Sequence, residues 1–322
     1  MSVYEWVDTA ADRLVLPGYS RIGYRLRRHN WPADPTPDVL TGTHALVTGA
    51  SSGLGQATVS ALARLGAKVH LLVRNRDRGE QAIGRIVAHS AVPGSRLTLE
   101  HCDISDLAAV EEFAADFARR CPRLGLLVHN AGVMPPTRTE SAQGHELALA
   151  THVLGPHLLT EQLSGALRGA GHARVVWVSS GGMYGQRLDV EDLEYRREPY
   201  SPATAYARTK RMQVVLSAQW AHRLLDRGIV VHAMHPGWAD TPGVATSMPR
   251  FYRLTKPLLR TPEQGADTIV WLCAAALPLQ STGQFWHDRR TRPVHYLRRT
   301  HDTAAERDQL WRSCHDLVTK SW

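Results

Sequence analysis

HALVTGASSGLG, residues 44–55, sets a short apolar run directly before Gly49, Gly53 and Gly55. The run reads as a strand and the residues from Leu54 onward as a helix, so the glycines fall at the turn between them. Each has a physical task. Gly49 permits a tight turn, Gly53 lets backbone approach a pyrophosphate, Gly55 allows close packing of the helix, and the helix N-terminus offers unpaired amides to phosphate oxygens. Thr48, Ser51, Ser52 and Leu54 complete this candidate cradle. Glycine-rich turns are common and a triplet alone is a weak signal; the strand before and the helix after strengthen it.

Working outward, the pattern repeats. Short β-branched runs at 67–73, 96–101, 124–130, 173–180, 229–235 and 283–287 alternate with helical periodicity near 54–65, 77–89, 106–120, 141–168, 203–226 and 262–276. Strands separated by segments long enough for right-handed crossovers predict a parallel sheet covered on both faces. The expected fold class is α/β, a single doubly wound parallel sheet of Rossmann type with about seven strands. Thr261, Pro262 and Gln264 predict a sharp start for the last of these helices, as cap, first helical residue and capping-box partner. Residues 43–322 form the expected domain, C-terminal extension included. Residues 1–42 form an N-terminal arm that ends in the proline-rich linker WPADPTPD.

Composition agrees with a globular chain. It has 322 residues, 43% of them hydrophobic and 21% charged, which excludes disordered and collagen-like classes. Lys and Arg total 38 against 30 acids, for a net charge of +8. That surplus suits a polyanionic cofactor as well as it suits nucleic acid, and no aromatic-basic platform accompanies it, so nucleic acid is not an expected partner. Cys102, Cys121, Cys273 and Cys314 have neither disulfide-framework nor metal-ligand spacing, so no metal is expected and a reducing, cytoplasmic compartment is. The most apolar stretch, Ile269–Leu279, contains Pro278 and falls far short of the roughly 20 residues that span a bilayer. The first residues lack the basic start and apolar run of a signal peptide.

The arm has a character of its own. Between Arg13 and Trp31 it carries Arg13, Arg21, Arg25, Arg27 and Arg28 among Tyr19, Ile22, Tyr24, Leu26 and Trp31, with no acid. Two readings stand: a basic amphipathic segment on an anionic membrane surface, or an arm packed on the domain with its arginines in solvent. A second basic stretch, Arg289, Arg290, Arg292, Arg298 and Arg299, is expected to be a solvated face.

At the end of the second strand, where an NAD-binding unit places an acid for the ribose hydroxyls, this chain has Arg74, followed by Asn75, Arg76, Asp77 and Arg78. Guanidinium groups there favour a 2′-phosphate, and hence NADP as cofactor.

TGASSGLG (48–55), CDIS (102–105), HNAGV (129–133), VSS (178–180), YARTK (206–210) and HPGWADTPG (235–243) together resemble, in order and spacing, the short-chain dehydrogenase/reductase family. The match covers roughly 41–290, and the long gap between Ser180 and Tyr206 is similar to the retinol-dehydrogenase-like branch. The resemblance implies hydride transfer between nicotinamide and a carbonyl or alcohol carbon. Tyr206 would be the acid/base and Ser180 the hydrogen-bond donor to the substrate oxygen. Lys210, at i+4 from Tyr206, would lower the phenol pKa and bind the nicotinamide ribose. It also implies cofactor contacts for Asp103 and Ile104, for Asn130, Ala131 and Gly132, and for Pro236, Gly237 and Thr241. Ser179 is expected to serve the core, and His129, where the family often has Asn, to be a packing variant.

One departure matters. The family's fourth catalytic residue, an Asn, aligns with His152. In the family that Asn works largely through its main-chain carbonyl, which holds a water that passes protons toward the lysine. Pro156, four residues on, has no N–H to occupy the carbonyl of residue 152, so the carbonyl is expected to be free by another route; the alternative is a mere packing kink with the relay lost. Substrate walls are expected from Met183 and Tyr184, from Trp238 and Met248 to Tyr252, and from Trp286, all suited to a lipophilic molecule. The competing reading is an NADP(H)-binding sensor or scaffold without turnover. A homo-oligomer is compatible with the sequence.

Overall fold

The computed structural model describes residues 8, 9 and 11–319. Eight strands form one sheet: β1 (His44–Thr48), β2 (Lys68–Val73), β3 (Leu97–His101), β4 (Leu126–His129), β5 (Arg174–Val178), β6 (Val230–Met234), β7 (Phe285–His287) and β8 (Arg290–Thr291). Their order is β3-β2-β1-β4-β5-β6-β7-β8. The first seven are parallel and β8 returns antiparallel to β7. The topological switch lies between β1 and β4, where both crossovers diverge and a crevice opens at the carboxyl ends of the strands.

The seven expected strands are all present. The eighth, only two residues long, lies within the stretch expected to be a solvated basic face, and that expectation is corrected. Arg289 and Arg292 are buried, and Arg289 pairs with Asp267 at 2.8 Å. Arg292 pairs with Asp8 at 2.7 Å, while Arg298 and Arg299 remain exposed.

Helices cover both faces: α1 (Gly53–Arg64), α2 (Arg76–Ser90), α3 (Leu107–Arg120), α4 (Gly155–Gln162), α5 (Pro202–Leu224), α6 (Pro262–Ala274) and α7 (Ala304–Thr319). One core, with Leu107, Leu158, Leu216 and Leu310, lies under α3, α4, α5 and α7. The other, with Val59, Ile86 and Ile269, lies under α1, α2 and α6. The capping box of α6 forms as its sequence predicts, Thr261 and Gln264 satisfying each other's backbone amides. The single helix expected over 141–168 is broken instead into a short turn, a π-helical stretch Ala150–Leu154, α4, and Ser164–Gly169. Pro156 explains the break, because residue 152 lacks its i+4 donor.

The arm docks on the domain. Leu16–Tyr19 and Arg21–Arg28 are short helices, and Ser20 caps the second. Their arginines are not all in solvent. Arg27 is buried and bonds Asp8 at 2.6 Å and Asp288 at 2.8 Å, while Arg260 holds Asp288 at 2.6 Å and the Gly18 carbonyl at 3.0 Å. Burial would raise the Asp288 carboxyl, but the charge of Arg260 holds it well below the usual range. Through Asp8, Gly18 and Arg27 these bonds fasten the arm to Arg260 and to Asp288, between β7 and β8.

Candidate functional site

The glycine turn sits between β1 and α1 as the sequence requires. Gly49 has a φ of 64°, and a Cβ there would lie 2.7 Å from the Cα of Ala131. A Cβ on Gly55 would lie 2.3 Å from the Gly49 carbonyl oxygen, so α1 can pack this closely only with glycine. Ser52, at the N-cap of α1, makes no side-chain capping bond, which leaves the first-turn amides facing the crevice without a cap. The Ser51 carbonyl accepts from Arg85, and Leu54 packs against Gly265. From β6 the chain runs through Pro236 and Gly237 to Thr241, whose methyl lies 3.1 Å from where a Cβ on Gly53 would stand. The loop after β6 therefore crosses the glycine turn. The cradle fits a dinucleotide phosphate in shape and in donors.

Around this turn the other expected residues assemble. Thr48 Oγ1 accepts from the amides of Asn130 and Ala131, each at 2.9 Å, and Asn130 Nδ2 donates to the Thr48 and Gly49 carbonyls. Asn130 thus buttresses the turn, with exposed Gly132 beside the His152 ring. Asp103 Oδ1 accepts from the amide and hydroxyl of Ser105, and Ile104 is buried between the loop and α4. Arg74 stands exposed at the end of β2, next to β1, and has no ion pair among the described residues. His129 is packing, as expected: it is buried against Trp177, bonds Thr160 at 2.7 Å, and burial pushes its pKa down to about 3.

At the ends of β5 and α5 stand Ser180, Tyr206 and Lys210. Ser180 caps the turn Gly181–Gly185 and accepts from the Gly182 amide. Burial raises the Tyr206 pKa, and a hydrogen bond from Ser180 offsets only part of the rise. Ser179 donates to the Lys210 carbonyl, the core role expected of it. Lys210 is buried and donates to the Val178 carbonyl at 2.9 Å and to Gln213 Oε1 at 3.0 Å; its Nζ lies 5.4 Å from the centre of the Tyr206 ring. Burial lowers the Lys210 pKa to about 7.

The carbonyl of His152 is joined toward the lysine by a side chain. Gln213 Nε2 donates to it at 2.8 Å, and the same amide's oxygen receives Lys210. Gln213 escaped the sequence reading although its position, one turn beyond Lys210 on α5, points it the same way. The imidazole has other work. His152 Nε2 accepts from the Val133 amide at 2.9 Å, which places the proton on Nδ1 for donation to Thr209 Oγ1 at 2.7 Å. The Thr209 hydroxyl in turn donates to the Tyr206 carbonyl. Burial, reinforced by Lys210, keeps this ring neutral.

The expected substrate walls need revision. Met183, Tyr184 and Trp286 are buried in the core, where Tyr184 donates to the Pro293 carbonyl and Trp286 packs on Trp271. Trp238, Met248, Phe251 and Tyr252 are half-buried and remain available. The sequence reading missed a contribution from the arm. Tyr19 fills the space beside Gly181, where a Cβ would come within 2.3 Å of its ring, and its carbonyl accepts from the Trp238 amide.

A model of the short chain dehydrogenase family matches residues 43–250. "Dehydrogenase/reductase SDR family member 12" of Bos taurus is 36% identical over 94% of each chain. "Retinol dehydrogenase 12" of Bos taurus is 32% identical over 88% of each chain. Among solved structures, a putative uncharacterized protein from Mycobacterium Paratuberculosis superposes with a TM-score of 0.69 at 26% identity, covering 88% of this chain and 98% of that one.

Proposed function

The chain belongs to the short-chain dehydrogenase family, and from that premise we propose an NADP-dependent oxidoreductase acting on a carbonyl or alcohol carbon of a lipophilic small molecule, with Tyr206 as acid/base. The observation that carries this reading is the convergence of Ser180, Tyr206 and Lys210 beside the glycine turn. When bound, the dinucleotide supplies or accepts the hydride at its nicotinamide. The protein's part is the proton. In the reducing direction the Ser180 hydroxyl orients the substrate oxygen while the Tyr206 phenol gives up its proton to it. Ser180 favours the ionised phenol by hydrogen bonding, and a protonated Lys210 favours it by charge. Phosphates held in the glycine cradle add negative charge that favours the ammonium form of Lys210. Gln213 holds that ammonium toward the site. His152 clasps the loop after β4 to α5 through Val133 and Thr209, which fixes the backbone that carries Tyr206.

Arg74 is the basis for NADP, since a guanidinium at the end of β2 pairs with a 2′-phosphate rather than with ribose hydroxyls. A lipophilic substrate is supported by Trp238, Phe251 and Tyr252 and by the likeness to a retinol dehydrogenase. The test follows NADPH absorbance over a panel of retinoid, steroid and aliphatic aldehydes and ketones. Turnover with at least one of them is expected, and Tyr206→Phe should abolish it while NADPH still binds. NADPH binding with no turnover across the panel, or a Tyr206→Phe variant that keeps most of the rate, would favour a non-catalytic binding protein.

A further inference from the structure

The arm has two unlike faces. In its second helix, Gly23, Tyr24 and Arg27 are buried against the domain, whereas Ile22 and Leu26, one turn apart, are 49% and 62% exposed. Leu14, Val15 and Leu16 just before it are exposed as well. Large apolar side chains on a soluble surface are ordinarily scattered singly; here five lie within residues 14–26. Arginines are interspersed with them along the chain. Arg13, Arg21, Arg25 and Arg28 are exposed, and the last three have no ion pair among the described residues. No acid occurs between Arg13 and Trp31 to offset them. Beside this face an open cleft of about 620 Å³ is lined by Tyr24, Arg25, Arg28, His29 and Gln264, which brings two guanidinium groups to its wall.

Apolar side chains interspersed with guanidinium groups match one kind of surface in both respects: acyl chains beneath a layer of phosphates. We propose that the exposed face of residues 13–28 is a docking surface for an anionic phospholipid bilayer. Ile22 and Leu26, with the turn at Leu14–Leu16, enter the interface; Arg13, Arg21, Arg25 and Arg28 pair with lipid phosphates, and the cleft beside Arg25 and Arg28 takes a headgroup. The arm is a rigid platform for this, because Arg27 and Tyr19 lock its other face to the domain. Among the described residues no helix is long and apolar enough to cross a membrane, and the contact proposed for the arm is a peripheral one. Its location has a purpose. Tyr19, on the buried side of the same arm, touches Gly181 next to Ser180 and bonds the Trp238 amide, so the arm that docks also packs beside Ser180. A lipophilic substrate then reaches Ser180 from the bilayer; this last step rests on the proposed oxidoreductase function, whereas the docking itself does not.

The experiment is co-sedimentation of the full chain with vesicles of phosphatidylcholine alone and of phosphatidylcholine with 30% phosphatidylserine, at about 50 and 500 mM salt. Binding to the anionic vesicles is expected, falling several-fold at high salt. A double variant, Ile22→Asp with Leu26→Asp, and separately Arg21→Gln with Arg25→Gln, should each weaken it at least tenfold. NADPH titration of the same samples checks that both variants keep the fold, and Tyr206-dependent turnover in solution tests the enzyme reading independently. Equal binding to neutral vesicles, or anionic binding untouched by either variant, would overturn the proposal. So would a chain that ignores all vesicles and forms a dimer which the Ile22→Asp, Leu26→Asp variant abolishes, since a second copy would then own the face.

Discussion

Replacing Gln213 by leucine removes the oxygen that accepts from Lys210 at 3.0 Å and the amide that donates to the His152 carbonyl, at nearly constant volume. A hydrogen bond to a charged group contributes about 1.5–3 kcal/mol, and 1.36 kcal/mol corresponds to one pKa unit. Losing the acceptor therefore lowers the Lys210 pKa by roughly one to two units. In the free protein burial has already brought it to about 7, so a further fall leaves the neutral amine as the main form at neutral pH. A bound dinucleotide raises the starting value but not the difference. The ammonium is the active form, so the rate falls as pH rises through this pKa, and the falling limb should move toward acid in Gln213→Leu. Gln213→Glu places a carboxylate at the same point and should move it toward base. The assay is the pH dependence of kcat/KM for NADPH oxidation with a substrate found in the carbonyl panel, which reports groups of the enzyme before that substrate binds. NADPH affinity at pH 6 serves as the control for folding. If both variants keep the falling limb where the native enzyme has it, Gln213 does not support Lys210 and the link to the His152 carbonyl is only packing.

Other outcomes follow from the same geometry. NADPH should bind more tightly than NADH, and Arg74→Asp should erase that preference, the lost charge-assisted contact being about 1.5–3 kcal/mol; equal affinities in the native protein by fluorescence titration would refute the assignment. Pro156→Ala restores an N–H four residues beyond His152, which competes with Gln213 for the carbonyl, and should slow turnover more than it weakens NADPH binding. His152→Asn should be tolerated, and His152→Ala should slow turnover through the lost clasp on Val133 and Thr209 yet keep much of the rate, because neither imidazole nitrogen is free to carry a proton. A dead His152→Ala beside a normal Pro156→Ala would make the ring itself the proton carrier.

The parts legible in the sequence were those with a local signature. The glycine turn needs its residues adjacent in the chain, between a strand and a helix, so its geometry could be read locally, whereas the helical spacing of Tyr206 and Lys210 carries meaning only beside the other ordered motifs. Pro156 announced the freed carbonyl because a missing N–H is a property of one residue. What occupied that carbonyl was not legible, since Gln213 reaches it across two packed helices and glutamine on a helix has no signature of its own. The same holds for Arg27, Arg260 and Arg292. An arginine reads as solvated until the fold brings Asp8 and Asp288 to it, and those carboxylates come from opposite ends of the chain. Met183 and Trp286 were misplaced for the converse reason: an apolar side chain looks the same in a substrate wall and in a core.

The clasp between Arg27 and Asp288 joins residues 261 positions apart. Synthesis runs from the N-terminus at about 5–20 residues per second, so the arm leaves the ribosome roughly 13–50 s before its partner exists. Through that interval Asp8, Asp12 and Arg27 have only one another and water as partners, and the nascent sheet lacks its far edge. Only when β7 and β8 emerge can the arm dock, so an early segment waits on a turn made 261 positions later.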